Sequence, residues 1–356
     1  MRILILHNEL MLNAQHPEAD AEHEVVWVAE ILETILREAG FEVSRMGLGA
    51  QPDALIERLR REKTDAVFNL FEHCAEHPAD EEWVSELLEW MAVPFTGNTS
   101  HTVAVARKKH LAKGLMAAAG LPTPAYCVID QLDSPLLDAG TGGPLAALRF
   151  PVIVKPSGQD ASEGIDQGSV VQDVAAVRAR AQKLLQQYRE PVLVEEFIRG
   201  RELSVSVIEN PGLQALPACE ILFTDPDPAV WPILTYDAKW KPDTREYDQT
   251  PPRYPADVAP ELAAQLGRLA QRAFQVLGCR DYARVDFRVD ATGQPYIIEL
   301  NPNPDISPNA MLSGSLGSAG LRHADFVVTL ARRAIARGQE RAAAAAAARP
   351  STAGQG

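Results

Sequence analysis

Two apolar segments towards the C-terminus carry polar side chains at alternating positions. YARVDFRV contains Arg284 and Asp286, and YIIELN contains Glu299 and Asn301. Because side chains alternate between the two faces of a strand, each pair shares one face. The short turn DATGQ between the segments favours an antiparallel hairpin. If the register brings the two faces together, carboxylate and amide oxygens meet in one patch, which suits Mg²⁺ bound together with phosphate.

Arg284 adds a cation to this patch, and it would neutralise charge on a phosphoryl group during transfer. The alternative is a surface hairpin whose polar face is solvated. Apolar neighbours indicate instead that the other face of the hairpin is buried: Val285, Phe287, Ile297, Ile298 and Leu300.

A lysine followed by a glycine-containing loop is a second candidate phosphate site. In PVIVKPSGQDASEG, Lys155 ends an apolar segment, and Gly158 and Gly164 follow it. Backbone amides of such a loop can bind phosphate, and the lysine adds a point charge. The order is not that of a Walker A motif, in which the glycines precede the lysine. The alternative is a Pro/Gly turn with a lysine that extends towards solvent.

Three carboxylates surround the apolar segment VLVEEFIRGRELSV. Glu195 and Glu196 end the first apolar run, and Glu202 follows a turn at Gly200. Carboxylates at a strand edge accept hydrogen bonds from the amine of adenine or the hydroxyls of a ribose. The alternative is an acidic face in contact with solvent.

The segment FEHCAEH is a competing candidate for a metal site. His73 and His77 are four residues apart, a spacing that chelates zinc on a helix. The segment lacks the HExxH order and has no evident third ligand. A polar loop or the start of a helix is therefore favoured over a zinc site.

Composition excludes some classes of partner. The formal net charge of −14 argues against a nucleic-acid partner, which requires basic patches. No apolar run approaches the roughly 18 residues of a membrane span, and MRILILHN is too short for a secretory signal. Four cysteines without CxxC spacing indicate reduced thiols and a cytoplasmic location: Cys74, Cys127, Cys219 and Cys279.

Periodicity divides the chain into segments. Alternating strand and helix patterns over residues 1–98 predict a small α/β domain. Residues 99–188 and 189–337 are predicted to form two further mixed segments, the second of which contains the polar hairpin and ends in a helix near 324–336. The Ala-rich residues 338–356 have no apolar period and are predicted to be a disordered tail.

The order of these motifs resembles the ATP-grasp superfamily and, within it, the D-alanine–D-alanine ligases, over about residues 1–335. It runs from a helix lysine, Lys109, through Lys155 and the VEEF segment to Lys239 in YDAKW, and then to RVDF and ELNPNP. The resemblance implies an α/β fold of the α+β ATP-grasp type. In that fold, an N-terminal Rossmann-like α/β domain precedes two ATP-grasp subdomains that sandwich ATP.

The resemblance also implies roles for the matching residues. Lys109 and Lys155 match lysines that contact ATP phosphates, and Lys239 matches a lysine that reaches ATP from a mobile loop. Arg284 matches the arginine that steadies an acyl phosphate. Magnesium, with two ions expected and Mn²⁺ as a substitute, would bind Asp286, Glu299 and Asn301. The remaining residues of the ATP site would be Ser162, Glu195, Glu196, Phe197, Ile198 and Glu202, beside Asn301.

The reaction of this family is ATP-dependent amide formation between a small-molecule carboxylate and an amine. The carboxylate attacks the γ-phosphate, ADP leaves, and the amine then attacks the acyl phosphate. Such an intermediate needs a lid that excludes water, which we assign to SGQDASEG and the segment after Tyr236. Family members commonly form homodimers through the N-terminal region.

The amino-acid side departs from the pattern of the family. The serine of the flexible loop aligns with Ala161, and its tyrosine partner aligns with Trp240. The glycine that faces the acyl oxygen aligns with Asp305, and the serine that binds the carboxylate of the second alanine aligns with Ala310. Glu22 matches the glutamate that binds the substrate amine. We expect Glu22, Trp240, Asp305 and Ala310 at the amino-acid site.

These departures bear on the acceptor. An alanine cannot hydrogen-bond a carboxylate, and Asp305 would attract or deprotonate a cationic amine. The hypothesis is a carboxylate–amine ligase whose acceptor is not D-alanine. The alternatives are a D-alanine–D-alanine ligase with divergent loops, a carboxylase of a biotin-like group, a non-catalytic nucleotide-binding protein and a zinc hydrolase. The carboxylase should bring extra domains, for which 356 residues leave little room.

Overall fold

The computed structural model of the chain describes residues 1–9, 19–49, 51–72, 80–131 and 143–348. The side chains of residues 19–23 and 80 are not described, so the predicted role of Glu22 lies outside the described side chains. The proposed zinc ligands His73 and His77 also lie outside the described residues.

The strands of the described residues follow one another along the chain as β1 to β13. In order they are Arg2–Asn8, Glu42–Leu48, Ala66–Asn69, Tyr126–Ile129, Val152–Pro156, Val170–Val171, Val192–Glu196, Arg201–Glu209, Leu213–Ala215, Cys219–Ile221, Pro252–Arg253, Tyr282–Val289 and Pro295–Asn301.

The helices of the described residues are α1 to α11. In order they are Ala19–Glu38, Asp53–Arg61, Asp80–Trp90, Ser100–Arg107, Lys109–Ala118, Val174–Tyr188, Tyr236–Trp240, Arg245–Asp248, Pro260–Val276, Met311–Ser318 and His323–Ala347. None of these helices is long and apolar enough to cross a membrane.

The chain forms two compact units. The first comprises Met1–Val103, Ile306–Asn309 and Gly320–Gly356, and the second comprises Ala104–Asp305 and Ala310–Ala319. The predicted boundary between subdomains at residues 188 and 189 falls inside the second unit and stays a prediction.

The first unit contains a parallel sheet in the order β2-β1-β3. Parallel strands are buried on both faces, which explains why RILIL is continuously apolar. Leu4, Leu6, Val67 and Phe95 belong to one core cluster with residues of α2 and α3. The alternation predicted over residues 1–98 is therefore present in the described part of this unit.

Helix α11 differs from the sequence prediction in two respects. It packs on β3 and α1, so residues 320–337 belong to the first unit and not with the polar hairpin. It also continues to Ala347, whereas the sequence predicted a disordered tail from residue 338. Alanine has the highest intrinsic helix propensity, so the Ala-rich run extends the helix without any apolar period.

The second unit contains two sheets within its described residues. The antiparallel sheet β4-β7-β5-β6 packs its apolar face on α6 through residues such as Val154, Val177 and Val194. The larger sheet has the order β11-β10-β8-β12-β13, with β9 paired to β8. Its apolar face, which includes Val285 and Phe287, packs on α9 and α5. The opposite face of β8, β12 and β13 is left for polar side chains.

Candidate active site

The predicted hairpin is confirmed, and its register brings the two polar faces together. Strands β12 and β13 are antiparallel, with Arg284 opposite Asn301 and Asp286 opposite Glu299. The register shifts after Asp286, which leaves Ile298 as the extra residue of a bulge. Directly opposed residues of neighbouring strands share a face, so the four polar side chains form the patch that the sequence predicted.

Strand β8 extends the same patch on the other side of β12. Ser204 pairs with Asp286 in the register, and its hydroxyl donates to Asp286 Oδ1 at 2.6 Å. Arg284 donates from Nε and Nη2 to the two oxygens of Asp286 at 2.8 and 3.0 Å. Burial alone would lower the pKa of Arg284, but Asp286, Glu299 and Asp305 raise it above its ordinary value.

Lys109 at the start of α5 faces the other carboxylate of the patch. Its ammonium group lies 2.8 Å from Glu299 Oε1 and 3.3 Å from Asp160 Oδ1, and it donates to the carbonyl oxygen of Gln159. Burial would raise the pKa of Glu299, but Lys109, Lys155 and Lys239 lower it to about 2. Lys109 therefore contacts both the loop after β5, at Gln159 and Asp160, and strand β13, at Glu299.

Lys155 and Glu195, which the sequence assigned to phosphates and adenine, form an ion pair with each other. Lys155 Nζ lies 2.5 Å from Glu195 Oε1, and Lys113 Nζ lies 2.7 Å from Glu195 Oε2. The Glu195 carboxylate is therefore held between two lysines. Burial would raise the pKa of Glu195, but the two lysines lower it below its ordinary value.

A pocket opens above the polar patch. The pocket is open to solvent, its empty space including the open part is about 750 Å³, and both Lys155 and Lys239 line it. Burial and the neighbouring Arg284 lower the pKa of Lys239 below its ordinary value. The apolar wall includes Ile153, Ile165, Phe197, Ile198 and Ile233, which suits a planar base. Ser162 and Glu202 also line this pocket.

Glu196 lines the pocket but is bound to Arg149. The guanidinium of Arg149 donates to both carboxylate oxygens, with Nη2 to Oε2 at 2.7 Å, and the Arg149 backbone N–H donates to Oε1 at 2.9 Å. These bonds lower the pKa of Glu196 below its ordinary value. ATP would therefore have to compete with the exposed Arg149 for the Glu196 carboxylate.

Arg288 is a site residue that the sequence analysis missed. It donates to the carbonyl oxygens of Ile198, Gly200 and Pro232 at 2.8–3.1 Å and to Glu202 Oε2 at 3.0 Å. Its guanidinium also lies 5.0 Å from the centre of the Phe197 ring. Arg288 therefore fixes the turn that carries the proposed adenine and ribose contacts. Strand alternation could have identified Arg288, because residues 284, 286 and 288 are every second residue of β12 and therefore share one face.

Hydrogen bonds connect residues 161–167 with residues 231–240. Trp240 Nε1 donates to the carbonyl oxygen of Ala161 at 3.1 Å, and Tyr236 N donates to that of Ile165 at 3.2 Å. Gln167 exchanges two side-chain hydrogen bonds with the backbone of Trp231, at 2.7 and 3.2 Å. The sequence assigned SGQDASEG and the segment after Tyr236 to a lid, and of these hydrogen bonds the one between Trp240 and Ala161 joins those two segments.

Ala310 and Asp305 are two of the residues that the sequence assigned to the amino-acid side. Ala310 is buried at the start of α10, and no side chain caps that helix end. Asp305 acts electrostatically on Arg284 and helps to raise its pKa. Arg284 is therefore influenced by a third carboxylate, from the position that aligns with a glycine in the family pattern.

The donor set of the patch fits magnesium. Asp286 and Glu299 are opposed in the register, and both line the pocket with the hard oxygen ligands that Mg²⁺ prefers. Asn301 Oδ1 accepts from Asn303 N at 3.2 Å and retains a second lone pair. No three His, Cys, Asp or Glu side chains cluster as metal ligands within the described residues, so this set depends on its amide.

Comparisons with known proteins identify the family. The family model described as "D-ala D-ala ligase C-terminus" matches residues 115–332. The D-alanine–D-alanine ligase of Carboxydothermus hydrogenoformans is 30% identical over 245 residues, which cover 68% of this chain and 74% of that protein. The chain belongs to the D-alanine–D-alanine ligase family of ATP-grasp proteins. Family membership makes it an ATP-dependent carboxylate–amine ligase.

Two further proteins are similar to this chain. The uncharacterized protein y4sG of Sinorhizobium fredii is 31% identical over 244 residues, which cover 68% of this chain and 67% of that protein. The crystal structure of the Bacillus anthracis D-alanine–D-alanine ligase complexed with ATP has a TM-score of 0.74 at 19% identity. It covers 96% of this chain and 99% of that one. This second likeness concerns the fold, and it confirms the predicted ATP-grasp architecture.

Proposed function

We propose that this ligase joins a carboxylate to an amine other than D-alanine, through an acyl phosphate formed from ATP. The acceptor half of the proposal depends on one observation. Asp305 acts electrostatically on Arg284, in addition to Asp286 and Glu299, and the buried Ala310 at the start of α10 has no side-chain hydroxyl. An acceptor carboxylate would meet an added negative charge at Asp305 and no hydroxyl donor at Ala310.

The phosphate half is supported by the lysines and the arginine of the patch. Lys109, Lys155 and Lys239 are the candidates to bind the polyphosphate of ATP, since two of them line the pocket and the third contacts Glu299. Asp286, Glu299 and Asn301 would hold magnesium, which supplies positive charge to the phosphate oxygens when bound. Arg284, already oriented by Asp286, would bind the acyl phosphate oxygens.

The reaction would proceed in two steps. An oxygen of the donor carboxylate attacks the γ-phosphorus, the bond to ADP breaks, and an acyl phosphate forms. The amine nitrogen then attacks the acyl carbon, the carbon–oxygen bond to phosphate breaks, and an amide and inorganic phosphate are released. The attacking amine must lose a proton, and Asp305 is the candidate acceptor. The contacts between residues 161–167 and 231–240 would keep water from the acyl phosphate.

The test is phosphate release by the purified protein with ATP and Mg²⁺ across a matrix of D- and L-amino acids and small amines. Mass spectrometry identifies the product in each positive well. We expect an amide other than D-alanyl-D-alanine, with one ADP released for each bond formed. Arg284→Met should abolish amide formation, whereas the same change at Arg272, exposed on α9, should leave it unchanged. D-alanyl-D-alanine as the main product would contradict the proposed acceptor.

A further inference from the structure

We infer that Lys113 is a positioning residue, which holds the charge of Glu195 so that Lys155 is free to bind nucleotide phosphate. The inference rests on the proposed ATP site and adds a residue to it. Lys113 is on α5, four residues after Lys109, and the sequence analysis assigned it no role. Residues four apart share a helix face, so α5 directs one lysine to Glu299 and the other to Glu195.

Burial separates the tasks of the two lysines that contact Glu195. The side chain of Lys113 is 1% exposed, and Lys113 is not among the described residues that line the pocket. Its Nζ lies 3.5 Å from the carbonyl oxygen of Ile297 on β13. Lys155 contacts the same carboxylate but does line the pocket. Only Lys155 of this pair is placed to reach a ligand.

The charge balance explains why a second lysine is needed. A carboxylate as buried as Glu195, which is 2% exposed, is strongly destabilised without a counter-ion. If Lys155 were its sole partner, binding of Lys155 to phosphate would leave that carboxylate unpaired, and the cost would oppose ATP binding. Lys113 stays 2.7 Å from Glu195 and keeps it paired while Lys155 contacts the phosphates.

The experiment compares two ligands across three variants by calorimetry in the presence of Mg²⁺. The ligands are ATP, which has phosphates, and adenosine, which has none. Lys113→Met should raise the Kd of ATP at least about tenfold, because Lys155 is then held by Glu195. The Kd of adenosine should stay within about threefold, since the base wall is unchanged. Lys183→Met, which removes a lysine exposed on α6, should change neither value.

The double variant Lys113→Met, Glu195→Gln removes both the lysine and the carboxylate that would hold Lys155. We expect the ratio of its Kd for ATP to its Kd for adenosine to return to within about threefold of the wild-type ratio, since a lost contact between Glu195 and adenine would weaken both ligands alike. This variant has no buried carboxylate to leave unpaired, so it can be tested even if Lys113→Met alone does not fold.

Three results would overturn the inference: unchanged ATP binding in Lys113→Met, an equal loss of adenosine binding, or a double variant that folds without recovering the wild-type ratio of the two Kd values. An equal loss of both ligands would indicate a structural role alone. The proposed function is tested separately, by ATP binding and amide formation in the wild-type protein.

Discussion

The indole Nε1 of Trp240 donates a hydrogen bond to the backbone carbonyl of Ala161, at 3.1 Å. The family pattern has a tyrosine and a serine at these positions. In this chain a side chain bonds to the backbone, so the contact no longer needs a hydroxyl at residue 161. Ala161 has a φ of 53°, a left-handed conformation that is uncommon for alanine. The two segments thus remain joined although both side chains have changed.

Trp240→Phe removes the indole donor and keeps an aromatic ring. We expect the rate of amide formation to fall about tenfold and the fraction of ATP hydrolysed without amide to rise, because water reaches the acyl phosphate. Comparing ADP release with amide product measures this fraction. Trp90→Phe, at a side chain that is 78% exposed on α3, is the matched control. An unchanged ratio of ADP to amide in Trp240→Phe would show that the hydrogen bond between Trp240 and Ala161 does not keep water from the site.

Arg288→Met removes the guanidinium that binds three carbonyl groups and Glu202. We expect the free energy of unfolding to fall by about 3 kcal/mol, because Glu202 and the carbonyl oxygens lose a buried partner. Adenosine and ATP should both bind at least about tenfold more weakly, in contrast to Lys113→Met. Chemical denaturation and calorimetry measure the two effects. Weaker binding of ATP with unchanged binding of adenosine would indicate that Arg288 acts on the phosphates, and it would contradict the proposed role of Arg288 at the adenine and ribose contacts.

Gly200→Ala tests the turn that Arg288 fixes. Gly200 has a φ of 147°, and a Cβ added there would lie 1.9 Å from the carbonyl oxygen of Val289. The variant should lose about 2–4 kcal/mol of unfolding free energy, since strand β12 cannot move away without breaking its pairing with β8. Gly212→Ala, where a Cβ meets nothing within 4 Å, should change stability by less than about 1 kcal/mol. Equal effects of the two changes on the melting temperature would contradict the steric argument.

Glu195 should make stability depend on pH. Its pKa in the folded protein is below the ordinary value of 4.5, so it contributes stability above that pH and loses it as the pH falls. Between about pH 5 and about pH 3, the free energy of unfolding should therefore fall less steeply in Glu195→Gln than in wild type. Glu261→Gln, at an exposed position of α9, should retain the wild-type slope. Parallel curves for wild type and Glu195→Gln would show that the two lysines do not lower this pKa.

Asp305→Gly combined with Ala310→Ser would restore the two family residues at the acceptor site. The double variant should use D-alanine as acceptor with a kcat/KM at least about tenfold above wild type, because it loses a repulsive charge and gains a hydroxyl donor. Steady-state kinetics of dipeptide formation provide the measurement. Ala319→Ser makes the same chemical change at the other end of α10 and should have no effect. A double variant no better than wild type with D-alanine would mean that other residues determine the acceptor.

The polar hairpin could be predicted because strand alternation is visible in the sequence and the turn DATGQ is short. The register next to the turn pairs Phe287 with Ile297 and, if continued, would put Glu299 and Asn301 on the other face of the sheet. The bulge at Ile298, which no feature of the sequence indicated, corrects this and brings Asp286 opposite Glu299 and Arg284 opposite Asn301. Lys113 could not be predicted in this way. It is four residues from Lys109 on a helix, a spacing equally typical of a solvated face, and only the packed structure shows that it is buried beside Glu195.

Helix α11 shows a second kind of limit. The Ala-rich segment has no apolar face, so its pattern gave no reason to expect order, yet the helix extends to Ala347. Intrinsic propensity, and not burial, extends the helix there, and its last residues are exposed. Apolar periodicity therefore predicts the part of a helix that packs on a core, and it misses the exposed turns that extend beyond the core.

The specificity constant for the best carboxylate–amine pair, measured beside that for D-alanine alone, tests the central claim most directly. Both specificity constants are measured from the rate of ADP release in the presence of ATP and Mg²⁺, and mass spectrometry identifies the product. The predicted result is a kcat/KM at least about tenfold higher for a pair whose acceptor is not D-alanine. A higher value for D-alanine would make this a D-alanine–D-alanine ligase, and the proposed roles of Asp305 and Ala310 would be wrong.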